Sequence, residues 1–455
     1  MNSFQILTNH ARQVQDLLDG WLENGYTRNC SLPFNSIQTP EQVARLAASL
    51  FKRGGSSLND TSSGNVVALN TPKAKELSQN ETLVDIHKTV RSFFAQPIFN
   101  TNEGKSYFIC DSSVLSAHPQ LKSFLNSIRP LPFVFEPTEQ CKNFATVLRI
   151  LNSVEHPPQK VVVIGGGVCC DIGALVGSLL DAQVHLVPTT LLSAVDAGIG
   201  GKSGVNHPKA GKNQIGRFVS LNSVSIITEL FQSLTPSQIR QGVAEMVKHS
   251  FLAGTFHHWQ ASLSYLINTR EHIRFDHPDL IELLKQNISF KSSVVELDPF
   301  DKDIRNMLNF GHTIAHLIEA TQADDALPLS HSTRGHTISH GIAVAIGMLA
   351  LAESKLMKRL PEDFFEFLKS LLLAENIVFP LEINFTDQES ARQFLQQDKK
   401  RMNKDKTKVR LIVPSYGSLA QIKQIADRTQ FMADHTREIE TDEFIKALKN
   451  SRIFT

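Results

Sequence analysis

"KVVVIGGGVCCDIGALVGSLLDAQVHLVPTT", residues 160–190, decides the fold. The run VVVI reads as a short buried strand, since β-branched residues without polar interruption suit a strand covered on both faces. Gly165, Gly166 and Gly167 then punctuate the chain, VCCDIGALVGSLL has the length and texture of a helix, and QVHLVP returns as a second strand. A strand, a glycine turn, a helix and another strand make a parallel crossover unit. "SYFICD" at 106–111 and "FVFEP" at 133–137 extend the pattern upstream. The expected core is a Rossmann-like α/β nucleotide-binding domain over 96–222. Glycines at the strand end let a phosphate reach backbone amides and the positive helix terminus, although a plain tight turn has the same sequence.

Beyond residue 225 the periodicity becomes helical, in "PSQIRQGVAEMVKHSFL", "LIELLKQNISFKSSVVEL" and "GIAVAIGMLALAESKLM". A mostly α-helical metal- and substrate-binding domain is expected over 223–455, with one late strand in "KVRLIVP". Residues 1–95 read as a helical N-terminal extension, because "HARQVQDLLDGWLENG" and "TPEQVARLAASLFKRGG" have helical spacing and the second opens with a Thr-Pro-Glu start signal. The formal net charge of +1 gives no global reason to bind nucleic acid or an anionic membrane surface. Five cysteines without a Cys-x-x-Cys pair favour free thiols in a reducing compartment. With no secretory signal and no membrane-spanning run, a cytoplasmic location is expected.

Two polar regions interrupt this apolar framework. "VPTTLLSAVDAGIGGKSGVNHPKAGKNQIG", 187–216, concentrates glycines with Thr189, Thr190, Asp196, Lys202, Lys212 and Asn213. Such a loop can fold tightly around a small anion. In "RNMLNFGHTIAH", 305–316, Arg305, Asn309, His312 and His316 recur at steps of four, three and four, which on one helix would make a single polar face among apolar neighbours. A buried polar face needs partners, and a ligand or metal would supply them. His312 and His316 have the spacing of a zinc-clamping pair, and His331, His336 and His340 follow downstream. Glu245 and Lys248, three apart, fit either an exposed ion pair or a buried metal ligand with a neighbour.

In order, "GGGVCCD", "VPTT", "VDAGIGGKSGVNHP", "GKNQIG", "GVAEMVK", "RNMLNFGHT", "HGIAVAIGM" and "DKK" resemble the dehydroquinate synthase family of sugar phosphate cyclases, from about residue 106 to 420. The resemblance implies NAD bound around Asp111, Glu139, Lys142, Gly165, Gly166, Gly167, Asp171, Thr189 and Thr190. It implies a divalent metal, zinc first and cobalt second, on Glu245, His312 and His340. Substrate-binding and catalytic positions fall on Asp196, Lys202, Asn213, Lys248, Lys291, Arg305, Asn309, His316 and Lys399. The implied activity is that of a carbon–oxygen lyase: transient oxidation, phosphate elimination, re-reduction and intramolecular aldol closure of a seven-carbon sugar phosphate, as in the shikimate route. A homodimer is implied as well.

The sequence departs from that family at two places. Leu180 stands where most members carry an arginine that serves the phosphate across a dimer interface, and Ile342 replaces the carboxylate of the "HGEAVA" block. These departures point to a divergent member. The alternatives are a metal-dependent alcohol or glycerol dehydrogenase and a non-catalytic paralogue acting as a binding module.

Overall fold

The computed structural model describes residues 67–68, 83–94, 106–207, 211–269, 273, 275–323, 338–381 and 408–454. Most of the expected helical extension, together with His331, His336 and Lys399, lies outside these residues. The described residues form two units. One holds those up to Thr189 and Gly201–Leu230; the other holds Thr190–Gly200 and those from Phe231 onward.

The first unit contains β1 (Val67–Ala68), β2 (Leu83–His87), β3 (Ser106–Asp111), β4 (Phe133–Phe135), β5 (Lys160–Gly165), β6 (Gln183–Pro188), β7 (Lys202–His207), β8 (Gly211–Phe218) and β9 (Leu221–Ile227). Six of them make a parallel sheet in the order β2-β9-β6-β5-β3-β4. The α/β reading of the sequence is correct. Val161, Val162 and Val163 of the central β5 are fully buried, which is why the run shows no alternation. From β3 the chain adds β4 on one side and β5 on the other, so the carboxyl ends of β3 and β5, at Asp111 and Gly165, border the switch point where such sheets bind ligands. Helix α1 (Gly167–Leu179) follows β5 directly.

One expectation needs correction here. Residues 83–87 are not part of a helical extension but form β2, in parallel register with β9 from Leu83↔Ser223 to His87↔Ile227. The segment LVDIH is rich in β-branched residues and, though short, gains an edge position on an existing sheet, which outweighs the helical texture upstream. The antiparallel pair β7 and β8, joined in parallel by β1, makes a separate small sheet.

The second unit is mostly helical: α2 (Pro236–Ala253), α3 (Phe256–Asn268), α4 (Pro278–Leu297), α5 (His312–Ala323), α6 (His340–Glu353) and α7 (Glu362–Ala374), with the hairpin β10 (Lys408–Ile412) and β11 (Thr436–Glu440). Helix α2 starts with a reciprocal capping box, Thr235 with Gln238, has Pro236 in its first turn and ends at Gly254 with φ 73°. All eleven residues from Gly341 to Leu351 of α6 are buried, so this helix is the centre of the unit's core. No helix among the described residues is long and apolar enough to cross a membrane.

Candidate active site

Glycines at helix crossings build the site. A side chain at Gly347 of α6 would place its Cβ 2.0 Å from the Gly311 carbonyl oxygen, and one at Gly341 would lie 2.2 Å from the Gln241 carbonyl oxygen of α2. The backbones of α2, α5 and α6 therefore approach as closely as backbones can. His312 is the first residue of α5 and His340 the first of α6, and these contacts bring their rings to a centroid distance of 5.3 Å.

Glu245 projects from the middle of α2 and is completely buried. Lys248 pairs with its Oε2, while its Oε1 lies 3.8 Å from His312 Nε2. Lys248 faces Oε2, and among the described residues no hydrogen bond reaches Oε1. A buried carboxylate short of donors is costly unless a cation completes it. Glu245, His312 and His340 each bring a donor atom within 4.8 Å of the others, and one carboxylate with two imidazoles is a zinc-type ligand set. The residues fit a divalent metal. His312 Nδ1 faces the Phe310 carbonyl at 3.3 Å and His340 Nδ1 faces Glu319 Oε1 at 3.3 Å. Desolvation and the nearby Lys248 ammonium hold His312 well below its ordinary pKa, so it is a neutral imidazole. Burial also opposes protonation of His340, but the hydrogen bond and charge of Glu319, with Glu245 and Asp196, outweigh it and raise its pKa.

Cations surround this ligand set. Lys291, from α4, donates to the Asp196 carbonyl at 2.5 Å and pairs with the Asp196 carboxylate. Desolvation works to raise the Asp196 pKa, yet Lys291 and Lys248 hold it well below the carboxylate range. Burial lowers the Lys291 pKa, with Asp196 opposing. Arg305 is buried, its guanidinium donating to the carbonyls of Pro299 at 3.2 Å and Gly200 at 3.1 Å. Asp298 accepts the backbone amides of Lys302, Asp303 and Arg305, which fixes the tight turn Ile304–Asn309 that carries Arg305. Asn309 donates to Asn306 Oδ1 at 3.4 Å.

The stretch 305–316 is not one helix, which corrects the single-face expectation. A 3-10 turn ends at Asn309, Gly311 adopts φ 80°, and α5 begins at His312. Only His312 and His316 share a helix, with ring centroids 5.8 Å apart. Sequence reasoning passed over His249, Asn287, Asp298 and Glu319. His249 is buried beside Glu245, its Nε2 4.0 Å from Oε2, with the buried Asn287 of α4 bonding its ring. Its only signal was its place after Lys248. Asp196, Glu245 and His249 form a second possible donor set, but Lys291 already occupies the Asp196 carboxylate and Lys248 the Glu245 oxygen on the His249 side, which leaves Oε1, facing His312, as the open position.

The residues expected to hold NAD lie in the first unit, except Thr190. Asp111 accepts from the Ser113 amide at 2.8 Å and caps the helix after β3. The backbone of Gly165 abuts Asp111 and Cys169, and Gly166 caps α1 without a side chain to cover the end amides. The Thr189 hydroxyl is buried with no hydrogen-bond partner among the described residues, while its amide donates to the Gly165 carbonyl at 3.0 Å. Lys142 pairs with Asp171 at 2.6 Å, and Glu139 accepts from Asn206 at 2.7 Å. An open helix terminus and an unpaired hydroxyl at the switch point fit a dinucleotide phosphate. Thr190 instead engages Ser193 at 2.8 Å, at the turn leading to Asp196. Lys202 and Asn213 lie on the β7–β8 pair, with Asn213 at φ 56° donating its amide to Asn206.

Solved structures share this fold. The 2-epi-5-epi-valiolone synthase of Streptomyces hygroscopicus subsp. jinggangensis, with NAD+ and Zn2+ bound, superposes with a TM-score of 0.60 at 20% identity, over 81% of this chain and 96% of that one. A 2-deoxy-scyllo-inosose synthase complexed with carbaglucose-6-phosphate, NAD+ and Co2+ gives 0.58 at 20% identity over the same shares. These two synthases share the fold described above.

The sequence defines the family: the 3-dehydroquinate synthase N-terminal domain matches residues 132–241 and the C-terminal domain residues 242–401. The 3-dehydroquinate synthase of Prochlorococcus marinus is 31% identical over 330 residues, 69% of this chain and 84% of that protein. That of Francisella tularensis subsp. tularensis is 30% identical over 322 residues, 67% and 82% respectively. The chain belongs to the 3-dehydroquinate synthase family, whose members are cyclising carbon–oxygen lyases.

Proposed function

We propose that this chain is an NAD- and divalent-metal-dependent cyclase that eliminates phosphate from a seven-carbon sugar phosphate and closes the remaining chain into a carbocycle. The observation that carries the reading is the meeting of Glu245, His312 and His340, one of them a buried carboxylate whose Oε1 faces His312 with no hydrogen-bond partner among the described residues. When bound, NAD supplies reversible hydride transfer, and the metal supplies Lewis acidity at neighbouring substrate hydroxyls.

The chain's own residues account for the rest. Lys248, Lys291 and Arg305 bring three buried cations to the site, and a bound divalent ion would add to its positive charge. Such a site favours an anionic substrate, and guanidinium and ammonium groups suit its carboxylate and phosphate. Asp196 orients Lys291. His316, next to the ligand face of α5, is the group we assign to proton transfer during elimination and closure. Lys202, Asn213 and Lys399 are assigned to substrate contacts by family resemblance. The buried cation cluster speaks against a simple polyol dehydrogenase, which has no anion to hold. Leu180, in place of an arginine, favours a sister substrate such as a heptulose 7-phosphate alongside the 3-deoxy sugar acid phosphate. Four free cysteines among the described residues agree with a reducing cytoplasm, and a homodimer is the assembly we expect.

The test is release of inorganic phosphate from the two seven-carbon substrates. Release should require catalytic NAD, stop on chelation and give a carbocyclic product. Stoichiometric NADH from a polyol, without phosphate release from either sugar phosphate, would overturn the reading.

A further inference from the structure

We infer that Glu319 is a positioning residue for the metal site, holding His340 in the tautomer that presents Nε2 as ligand. The inference rests on the metal reading above and goes beyond its ligand list. Glu319 lies seven residues after His312 on α5, so the two occupy one face two turns apart. Its Oε1 is 3.3 Å from His340 Nδ1, with 15% of its side chain exposed. An ionised carboxylate can only accept, so the hydrogen belongs on Nδ1 and the lone pair on Nε2.

The two histidines are held differently. His312 rests on a backbone carbonyl, Phe310, which no substitution removes. His340 opens α6, where Ser339 makes no side-chain cap, and Glu319 is its side-chain acceptor. A ring at a helix start keeps much rotational freedom unless a partner fixes it. Glu319 thus lets α5 contribute twice, once as a ligand and once as the group that aims the ligand from α6. Carboxylates behind ligating histidines both orient the ring and raise its basicity.

The test is metal affinity of the full chain, read by competition between the protein and a chromophoric chelator for Zn2+ and by the visible spectrum of the Co2+ form. Wild type should bind about one equivalent. Glu319→Leu, which leaves Nδ1 without an acceptor, should weaken binding roughly 10–100-fold while leaving the Co2+ band shape of the saturated protein unchanged. Glu319→Asp, too short to reach the ring, should weaken it similarly, and covers the case in which the leucine variant does not fold. Unchanged affinity in a folded variant would overturn the inference. So would a changed Co2+ band shape at saturation, which would make Glu319 a ligand itself. Failure of the wild type to bind Zn2+ or Co2+ would instead sink the underlying metal reading and is distinguishable from both.

Discussion

Glu245 is the residue on which the proposed chemistry turns, because it lies wholly inside the protein and shares Oε2 with Lys248 while Oε1 faces His312. Glu245→Gln keeps the volume but removes the charge that would draw a cation. It should reduce bound Zn2+ to a small fraction of an equivalent, measured by metal analysis after dialysis. Glu245→Ala should also destabilise the fold by about 3–5 kcal/mol, because it strands the Lys248 ammonium in the interior; comparison of the urea midpoints checks this. A different residue sets a pH limit in the first unit. His185, on β6, bonds Ser223 at 2.8 Å, and burial with the charge of Lys160 pushes its pKa down to about 4. The unfolded chain takes up a proton at its ordinary value of 6.5 while the folded chain resists until about 4. Stability from this group is therefore full above pH 6.5 and falls as pH drops toward 4, by up to roughly 3 kcal/mol. In His185→Val the urea midpoint should change less between pH 7 and pH 4.5 than in wild type.

The elements matter through where they cross. Neither α5 nor α6 carries a complete site, and His312 and His340 meet because Gly311 and Gly347 let two helix backbones touch. Gly347→Ala should force these helices apart, lowering stability by roughly 1–3 kcal/mol as an overpacked core does. It should weaken metal affinity although no ligand changes, whereas Thr235→Ala, which removes a helix cap for about 1 kcal/mol, should leave metal affinity intact. Thermal unfolding with and without Zn2+ separates the two. The break at Gly311 also explains why 305–316 misleads as a pattern. Intervals of four, three and four suit a helix, but a positive φ in the middle divides the stretch into a turn that presents Arg305 and a helix that presents His312. A glycine does not announce in the sequence which backbone region it occupies.

Across the whole molecule, the parallel sheet follows from local physics written in the sequence. Buried strands such as VVVI and the glycine turn after them are signals of a few residues, and the burial of Val161, Val162 and Val163 is their direct cause. The residues proposed as ligands were legible too, but through an ordered set of motifs rather than through spacing, since Glu245, His312 and His340 belong to three separate helices. Tertiary structure alone decided that those three meet, that Lys291 locks onto Asp196, and that Glu319 backs His340. Strand and helix periods report which face of one element is apolar. Where two faces cross depends on close approach between backbones far apart in the chain, and a single sequence does not encode that as a local pattern.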